Sequence, residues 1–253
     1  MVYIYAGSNM QQPPPSEERL HRTAAWIGRY EKYLPEAVYG SIDGIVTTFA
    51  VVAGASGAEL DINIILILGI ANLIADGLSM SIGSYLSKRS EQDSYLKHRR
   101  IEEWEIDNLP DTERKEIEDI YRAKGFDGAE LELVVNRITS NRQVWLETMM
   151  KDELGLSRDQ RSPFKAGLST FISFVLAGSI PLIVYLLAYL GDIGISPFAL
   201  SSIVTAATFV AIGYVKTYVT QAGWLRSIAE TLLLGVAAAT TAYFLGDYLE
   251  RLL

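Results

Sequence analysis

The sequence predicts an all-α membrane protein with five transmembrane helices and a helical domain inserted between the second and third of them. Five apolar segments each approach the roughly 20 residues that cross a bilayer as a helix, and one long charged stretch separates the first two from the last three. Hydrophobic residues make up 49% of the chain, and they are concentrated in these segments. Apolar segments separated by charged stretches are not typical of a single soluble globule, so we expect membrane-embedded and aqueous parts to alternate along the chain.

The apolar segments define the membrane part in order along the chain. They lie at about 34–55, 62–85, 166–190, 197–219 and 224–245. The first is the least apolar because it contains glycines, threonines and Asp43. In the third, Gly178, Ser179 and Pro181 are expected to interrupt the helix, with neighbouring helices bonding the freed backbone groups.

The segments divide the chain into four parts. These are a leader at 1–33, transmembrane helices 1 and 2 at 34–87, an inserted domain at 88–162, and transmembrane helices 3 to 5 at 163–253. The leader lacks the basic start, short apolar run and cleavage site of a signal peptide.

Three helices are expected in the inserted domain. The helix of the second span has no breaker after the membrane and is predicted to continue to Asn108, before Pro110. A short helix then runs to Lys124, and a third extends from about Gly128 to Leu154.

Basic residues predict the orientation, because cytoplasmic flanks retain lysine and arginine. The N-terminal stretch has four and the segment from Lys88 to Lys165 has fifteen, whereas the loops at 58–61 and 191–196 have none. The N-terminus and the inserted domain are therefore predicted to be cytosolic, with the C-terminus on the far side.

Composition excludes several classes of protein. With no cysteine, the chain alone forms no disulfide, iron–sulfur cluster or thiolate zinc site. A formal charge of −8 gives no reason to expect nucleic-acid binding and favours attraction of cations. No nucleophile–base set, phosphate loop or redox-cofactor motif is present, so neither an enzyme nor a prosthetic group is expected.

Two aspartates stand inside apolar segments, Asp43 in the first and Asp76 in the second. A charged side chain at membrane depth costs roughly 2.5–3.5 kcal/mol by insertion measurements and usually faces a bundle interior or an ion path. Met80 is four residues after Asp76 and shares its helix face. The alternative is that Met80 only packs, and that the small residues around it simply allow helices to approach closely.

The inserted domain contains a possible metal site. Glu102 and Glu105 form one i, i+3 pair, Glu113 and Glu116 form another, and Met149 and Glu153 are four apart with Met150 beside them. Carboxylates from consecutive helices can converge on a divalent cation, and thioethers favour softer transition metals over calcium or magnesium. The alternative is ordinary solvated helix surface. In the inserted domain no histidine follows a glutamate by three residues, which disfavours a ferritin-type di-iron oxidase there.

Two segments resemble a known family. Ser41–Gly57 (SIDGIVTTFAVVAGASG) and Ala71–Tyr85 (ANLIADGLSMSIGSY) are similar to the paired signature of the vacuolar iron transporter family, which includes fungal vacuolar and plant nodulin-like relatives. The resemblance extends from about Glu36 to the fifth span.

The resemblance implies a homodimer with a path between the first spans of the two protomers and a cytosolic metal-binding domain after the second span. It implies movement of Fe²⁺, and often Mn²⁺, out of the cytosol in exchange for protons. By position, Asp43 and Met80 match path residues, Glu36 matches a cytosolic-entrance carboxylate, and the glutamates and methionines of the inserted domain match metal ligands.

Two alternative functions are compatible with the sequence. One is a manganese exporter, since oxygen ligands suit Mn²⁺ as well as Fe²⁺. Another is a membrane-anchored metal sensor or buffer, although a tether needs no charge in its spans. The expected partners are divalent metal ions, protons, membrane lipid and a second copy of the chain. The membrane is the plasma membrane if the protein is prokaryotic and the vacuolar membrane if it is eukaryotic.

Overall fold

The computed structural model describes residues 31–220 and 223–252, and within them every regular element is a helix. The predicted leader lies almost wholly outside the described residues. The α-helices are α1 (Leu34–Gly57), α2 (Ile62–Asn108), α3 (Pro110–Ala123), α4 (Gly128–Thr139), α5 (Arg142–Thr148), α6 (Pro163–Leu190), α7 (Pro197–Thr220) and α8 (Trp224–Leu252). A 3-10 turn at Glu31–Tyr33 precedes α1, and a π-helix at Met149–Glu153 follows α5.

Five of these helices are long and apolar enough to cross a membrane, namely α1, α2, α6, α7 and α8. This confirms the prediction of five transmembrane helices in an all-α chain. The spans match the expected segments closely because the thickness of the bilayer sets the length of the apolar window.

Helix α1 lies at the centre of the bundle and contacts all four other spans. Glycines make this possible. A Cβ atom at position 44 would collide with the carbonyl of Phe174 on α6, and one at position 246 on α8 would collide with the carbonyl of Gly54. Phe49 and Phe174 pack with Leu73 and Leu182 in the apolar core of the bundle, so α1 is held by close backbone contact as well as by burial.

Helix α6 runs without a break through Pro181. The prediction that Gly178, Ser179 and Pro181 interrupt this span is therefore wrong. Gly178 instead allows close packing, since a Cβ there would lie 2.7 Å from the Gly44 carbonyl oxygen. The hydroxyl of Ser201 on α7 donates to the Pro181 carbonyl at 3.2 Å, which ties α7 to α6 at this position.

The inserted segment, residues 88–162, is built on the extension of α2. At 1.5 Å per residue, this 47-residue helix is roughly 70 Å long. The hydrocarbon core is only about 30 Å thick, so the charged part of α2 projects well beyond its apolar part. The helix ends at Asn108, as expected, because Pro110 begins α3 and cannot continue α2.

The third expected helix is not continuous. Between Gly128 and Leu154 the chain forms α4, α5 and the π-helix. The break at Ser140–Asn141 arises because the Asn141 side chain accepts bonds from the backbone N–H groups of Gln143 and Val144 and so caps α5. These elements pack on α2 and α3 through a second apolar core, separate from that of the bundle.

Candidate functional site

Two carboxylates meet between the first two spans. Asp43 on α1 and Asp76 on α2 are both partly buried, and they are close enough to interact electrostatically. Within the described residues neither forms an ion pair with a basic side chain. In the described part of the bundle, two interacting carboxylates thus lack a basic partner, and an added cation would balance their charge.

Met80 lies one turn beyond Asp76 on α2 and packs, partly buried, against the apolar core of the bundle. Asn72 lies one turn before Asp76, and its side-chain nitrogen is buried without a hydrogen-bond partner among the described residues. Asn72 was not among the predicted site residues, although its i, i+4 spacing from Asp76 was a usable signal. Asn72, Asp76 and Met80 thus place polar or polarisable atoms along one face of α2.

Glu36 is in the first turn of α1, seven residues before Asp43. Two helical turns separate them by roughly 10 Å along the helix. The Glu36 side chain is only 10% exposed and forms an ion pair with Arg161, with 3.0 Å between Oε1 and Nη1. It therefore lies at the end of the bundle nearest to the inserted segment.

Five glutamates converge in the inserted segment. Glu102 and Glu105 come from the outer part of α2, Glu113 and Glu116 from α3, and Glu153 from the π-helix. Mutual electrostatic interactions connect all five.

The two innermost glutamates, Glu102 and Glu113, are 4% and 3% exposed, and one oxygen of each is buried without a hydrogen-bond partner among the described residues. Burial, followed by the charges of Glu153, Glu105 and Glu116, raises the pKa of Glu102 from 4.5 to about 7. Burial, followed by repulsion from the other four carboxylates, raises the pKa of Glu113 to about 8. Burial, followed by the charges of Glu116 and Glu105, raises the pKa of Glu153. This site holds more negative charge than its own surroundings stabilise.

Neighbouring acidic residues behave differently. Glu103 pairs with Arg99, Glu118 pairs with Arg122, and Asp152 pairs with Lys124. None of the five converging glutamates has such a partner in the described part of the chain. Solvated helix surface would not bury two carboxylates without a basic partner, so the burial of Glu102 and Glu113 favours an external cation at the cluster.

Met149 and Met150 are buried in the core between α2, α3 and the π-helix. Ile106 and Ile117 of the same core lie one turn after Glu102 and Glu113, so the methionines and the innermost glutamates lie in adjoining parts of this segment. The π-helix buries both methionines at consecutive positions, and π-turns occur frequently at functional sites.

The acidic side chains of the described residues are not close enough to one another, as placed, to form a metal site. Within residues 31–220 and 223–252, no group of three or more histidine, aspartate or glutamate side chains is close enough to hold an ion as placed. Because like charges repel, a cation would have to draw the carboxylates inward.

Comparison with known proteins identifies the family. Residues 34–247 match the model of the VIT family, which covers all five spans and the inserted segment. The chain belongs to the VIT family. It is 37% identical over 233 residues to a vacuolar iron transporter of Centaurea cyanus, covering 86% of this chain and 94% of the relative.

Other relatives of the VIT-family chain come from distant groups of organisms. Vacuolar iron transporter 1 of Arabidopsis thaliana is 34% identical over 232 residues, covering 91% of this chain and 89% of the relative. A vacuolar iron transporter of Toxoplasma gondii is 34% identical over 225 residues, covering 86% of this chain and 74% of the relative. The predicted resemblance to the vacuolar iron transporter family is confirmed.

Membership of the VIT family establishes the broad activity. Members are transporters and not enzymes, so this chain is an integral membrane protein that transports metal ions. The expectation that it is not an enzyme is confirmed.

Proposed function

We propose that this chain moves Fe²⁺, and Mn²⁺ as well, out of the cytosol in exchange for protons. The observation that carries the proposal is the pair Asp43 and Asp76, two interacting carboxylates without basic partners between apolar helices. A metal sensor or buffer would need no such charges in its spans. The names of the relatives favour iron as the ion and a vacuole as its destination.

The glutamate cluster is proposed to collect the ion. Glu102, Glu105, Glu113, Glu116 and Glu153 supply oxygens, and Met149 and Met150 supply thioethers. This mixed set suits Fe²⁺ and Mn²⁺ better than magnesium, which prefers oxygens and retains its water. The concentration of lysine and arginine at 88–165 supports a cytosolic location for the cluster and for the N-terminus.

The route is proposed to pass Glu36, then Asp43, Asp76 and Met80. Protons drive release because a carboxylate that binds a proton cannot at the same time bind a divalent cation. A proton arriving from the far side therefore displaces the metal there.

The chain is proposed to act as a homodimer through α1. The least buried face of α1 carries Tyr39, Asp43 and Ala50, which recur at helical spacing. The opposite face is buried against the other spans. A second copy seated on the open face would place two Asp43 side chains beside one path.

The test is Fe²⁺ and Mn²⁺ uptake into proteoliposomes with an imposed pH gradient. We expect gradient-dependent uptake by the parent chain and a loss of more than about 90% of it in Asp43→Asn, because the charge that stabilises the ion is gone. Asp61→Asn is the matched control, since Asp61 is an exposed aspartate in the loop between α1 and α2. Unchanged uptake in Asp43→Asn would refute the route.

The same assay separates the alternatives. Uptake of Mn²⁺ without Fe²⁺ would identify a manganese exporter. No uptake of either metal by a chain that still binds metal would identify a sensor or buffer.

A further inference from the structure

Arg161 joins the inserted segment to the beginning of α1. Its Nη1 donates to Glu36 Oε1 at 3.0 Å, while its Nε and Nη2 donate to the Asp159 carboxylate at 2.7–3.1 Å. One guanidinium therefore shares its charge between a carboxylate of the membrane bundle and a carboxylate of its own segment. Glu36 and Arg161 are 125 residues apart in the chain.

The backbone around Arg161 is fixed from two sides. The side-chain amide of Gln92 on α2 donates to the carbonyls of Asp159 at 3.3 Å and Arg161 at 2.7 Å. The Ser162 N–H donates to the Tyr33 hydroxyl at 3.1 Å, immediately before α1. Although residues 155–162 are not helical, these bonds hold the guanidinium beside Glu36.

Glu36 is only partly satisfied by this pairing. Its side chain is 10% exposed, and its second oxygen, Oε2, is buried with no hydrogen-bond partner in the described part of the chain. A buried carboxylate oxygen without a partner is costly, and a cation that bound both oxygens would relieve that cost. Glu36 therefore has the cation of Arg161 on one oxygen and, among the described residues, no hydrogen-bond partner on the other.

We propose that Arg161 is the resident counter-ion of Glu36 and that a divalent cation entering the bundle must displace it. The inference rests on the proposed function, because it assigns Glu36 to the cytosolic end of the metal route. Arg161 acts through Glu36 and does not bind the metal itself, so it is a positioning residue that sets the affinity of the entrance.

Asp159 makes the displacement reversible. When the metal binds Glu36, the Arg161 guanidinium keeps its bidentate bonds to Asp159, so its positive charge stays paired. When the metal moves on to Asp43, Arg161 returns to Glu36. The strength of the Asp159 pair thus determines how firmly Arg161 competes for Glu36.

Two substitutions should shift metal affinity in opposite directions. Arg161→Gln removes the competitor, so the apparent KM for Fe²⁺ in proteoliposome uptake should fall roughly threefold to tenfold, with little change in the maximum rate. Asp159→Asn weakens the second partner of Arg161, so the guanidinium holds Glu36 more tightly and the apparent KM should rise. General damage to the segment would move both variants the same way.

Two controls define the role of the charge. Arg161→Lys retains a cation and should keep the apparent KM within about twofold of the parent value, because point-charge competition remains. Arg158→Gln removes an exposed arginine from the same segment and should leave the apparent KM unchanged, since Arg158 forms no ion pair in residues 31–220 and 223–252. The inference is overturned if Arg161→Gln behaves like Arg158→Gln, or if Arg161→Gln and Asp159→Asn change the apparent KM in the same direction.

A binding measurement separates this inference from the proposed function. In the full-length chain carrying Glu102→Gln and Glu113→Gln, Mn²⁺ binding followed by electron paramagnetic resonance reports the remaining sites. Adding Arg161→Gln should tighten that binding by a similar factor, and adding Glu36→Gln should abolish the gain. If the parent chain transports no metal, the proposed function fails, while this result still decides the competition. No tightening by Arg161→Gln would refute it.

Discussion

Carboxylates occupy two regions of this protein, and the regions differ in how many converge and in what surrounds them. In the bundle, Asp43 and Asp76 interact as a pair between apolar helices. In the inserted segment, five glutamates from three elements interact with one another, and two of them are deeply buried. The number of charged ligands changes the metal affinity of an oxygen site by several orders of magnitude, so the group of five glutamates suits capture of the ion. The smaller group suits passage, because a conducted ion must bind weakly enough to leave.

The largest effect expected from this comparison is on metal binding by the cluster. Replacing both Glu102 and Glu113 with glutamine removes the two innermost charges while keeping side-chain shape. We expect the affinity of the detergent-solubilised chain for Mn²⁺ at pH 8 to fall on the order of 1,000-fold, measured by titration calorimetry.

The matched control replaces Glu103 and Glu118 with glutamine. These neighbours already pair with Arg99 and Arg122, so their loss should change the affinity by less than about threefold. Equal effects of the two double variants would show that the converging glutamates are ordinary surface.

A somewhat smaller effect is expected from pH. Because the pKa values of Glu102 and Glu113 are raised to about 7 and about 8, both side chains are largely protonated at pH 6 and must lose protons to bind metal. Affinity of the parent chain for Mn²⁺ should therefore weaken on the order of 100-fold between pH 8 and pH 6. In Glu102→Gln/Glu113→Gln the profile should be nearly flat, and a flat profile in the parent would contradict the assignment.

The smallest effect is on the stability of the metal-free inserted segment. Well below pH 4.5 the two glutamates are protonated in both the folded and the unfolded state and contribute no pH dependence. As pH rises from about 4.5 to the raised pKa values of about 7 and about 8, the unfolded state releases these protons before the folded state does, so folding stability falls. After allowance for solvent screening, the loss should be about 2 kcal/mol.

Fluorescence of Trp145, which is buried in the core of this segment, can follow urea unfolding in the metal-free chain. Glu102→Gln/Glu113→Gln should be more stable than the parent at pH 8 and equally stable at pH 4. Greater stability of the parent at pH 8 would mean that the buried charges are balanced by groups other than a metal ion.

Much of this architecture was predictable from the sequence. The five spans follow from the apolar windows that a bilayer requires, and the end of α2 follows from Pro110. The spacing of Glu102 with Glu105 and of Glu113 with Glu116 put each pair on one helix face, and the structure brings both pairs together with Glu153.

Other features depend on contacts that the sequence does not reveal. The helix between Gly128 and Leu154 breaks because Asn141 caps α5, and asparagine in a helical sequence is a weak signal by itself. Pro181 remains inside α6 because neighbouring spans pack around it. Arg161 was missed because its partner Glu36 is remote in the chain, although a buried carboxylate at the end of a span was reason to look for a cation.

In this account the glutamate cluster captures the ion and the Asp43–Asp76 pair conducts it. The most direct test is to measure the rate of Fe²⁺ uptake as a function of Fe²⁺ concentration in proteoliposomes containing Glu102→Gln/Glu113→Gln. If the cluster only collects the ion, the apparent KM should rise while the maximum rate stays within about twofold of the parent value, because the Asp43–Asp76 route is intact. A maximum rate as low as that of Asp43→Asn would contradict the account, since the cluster would then be part of the route itself.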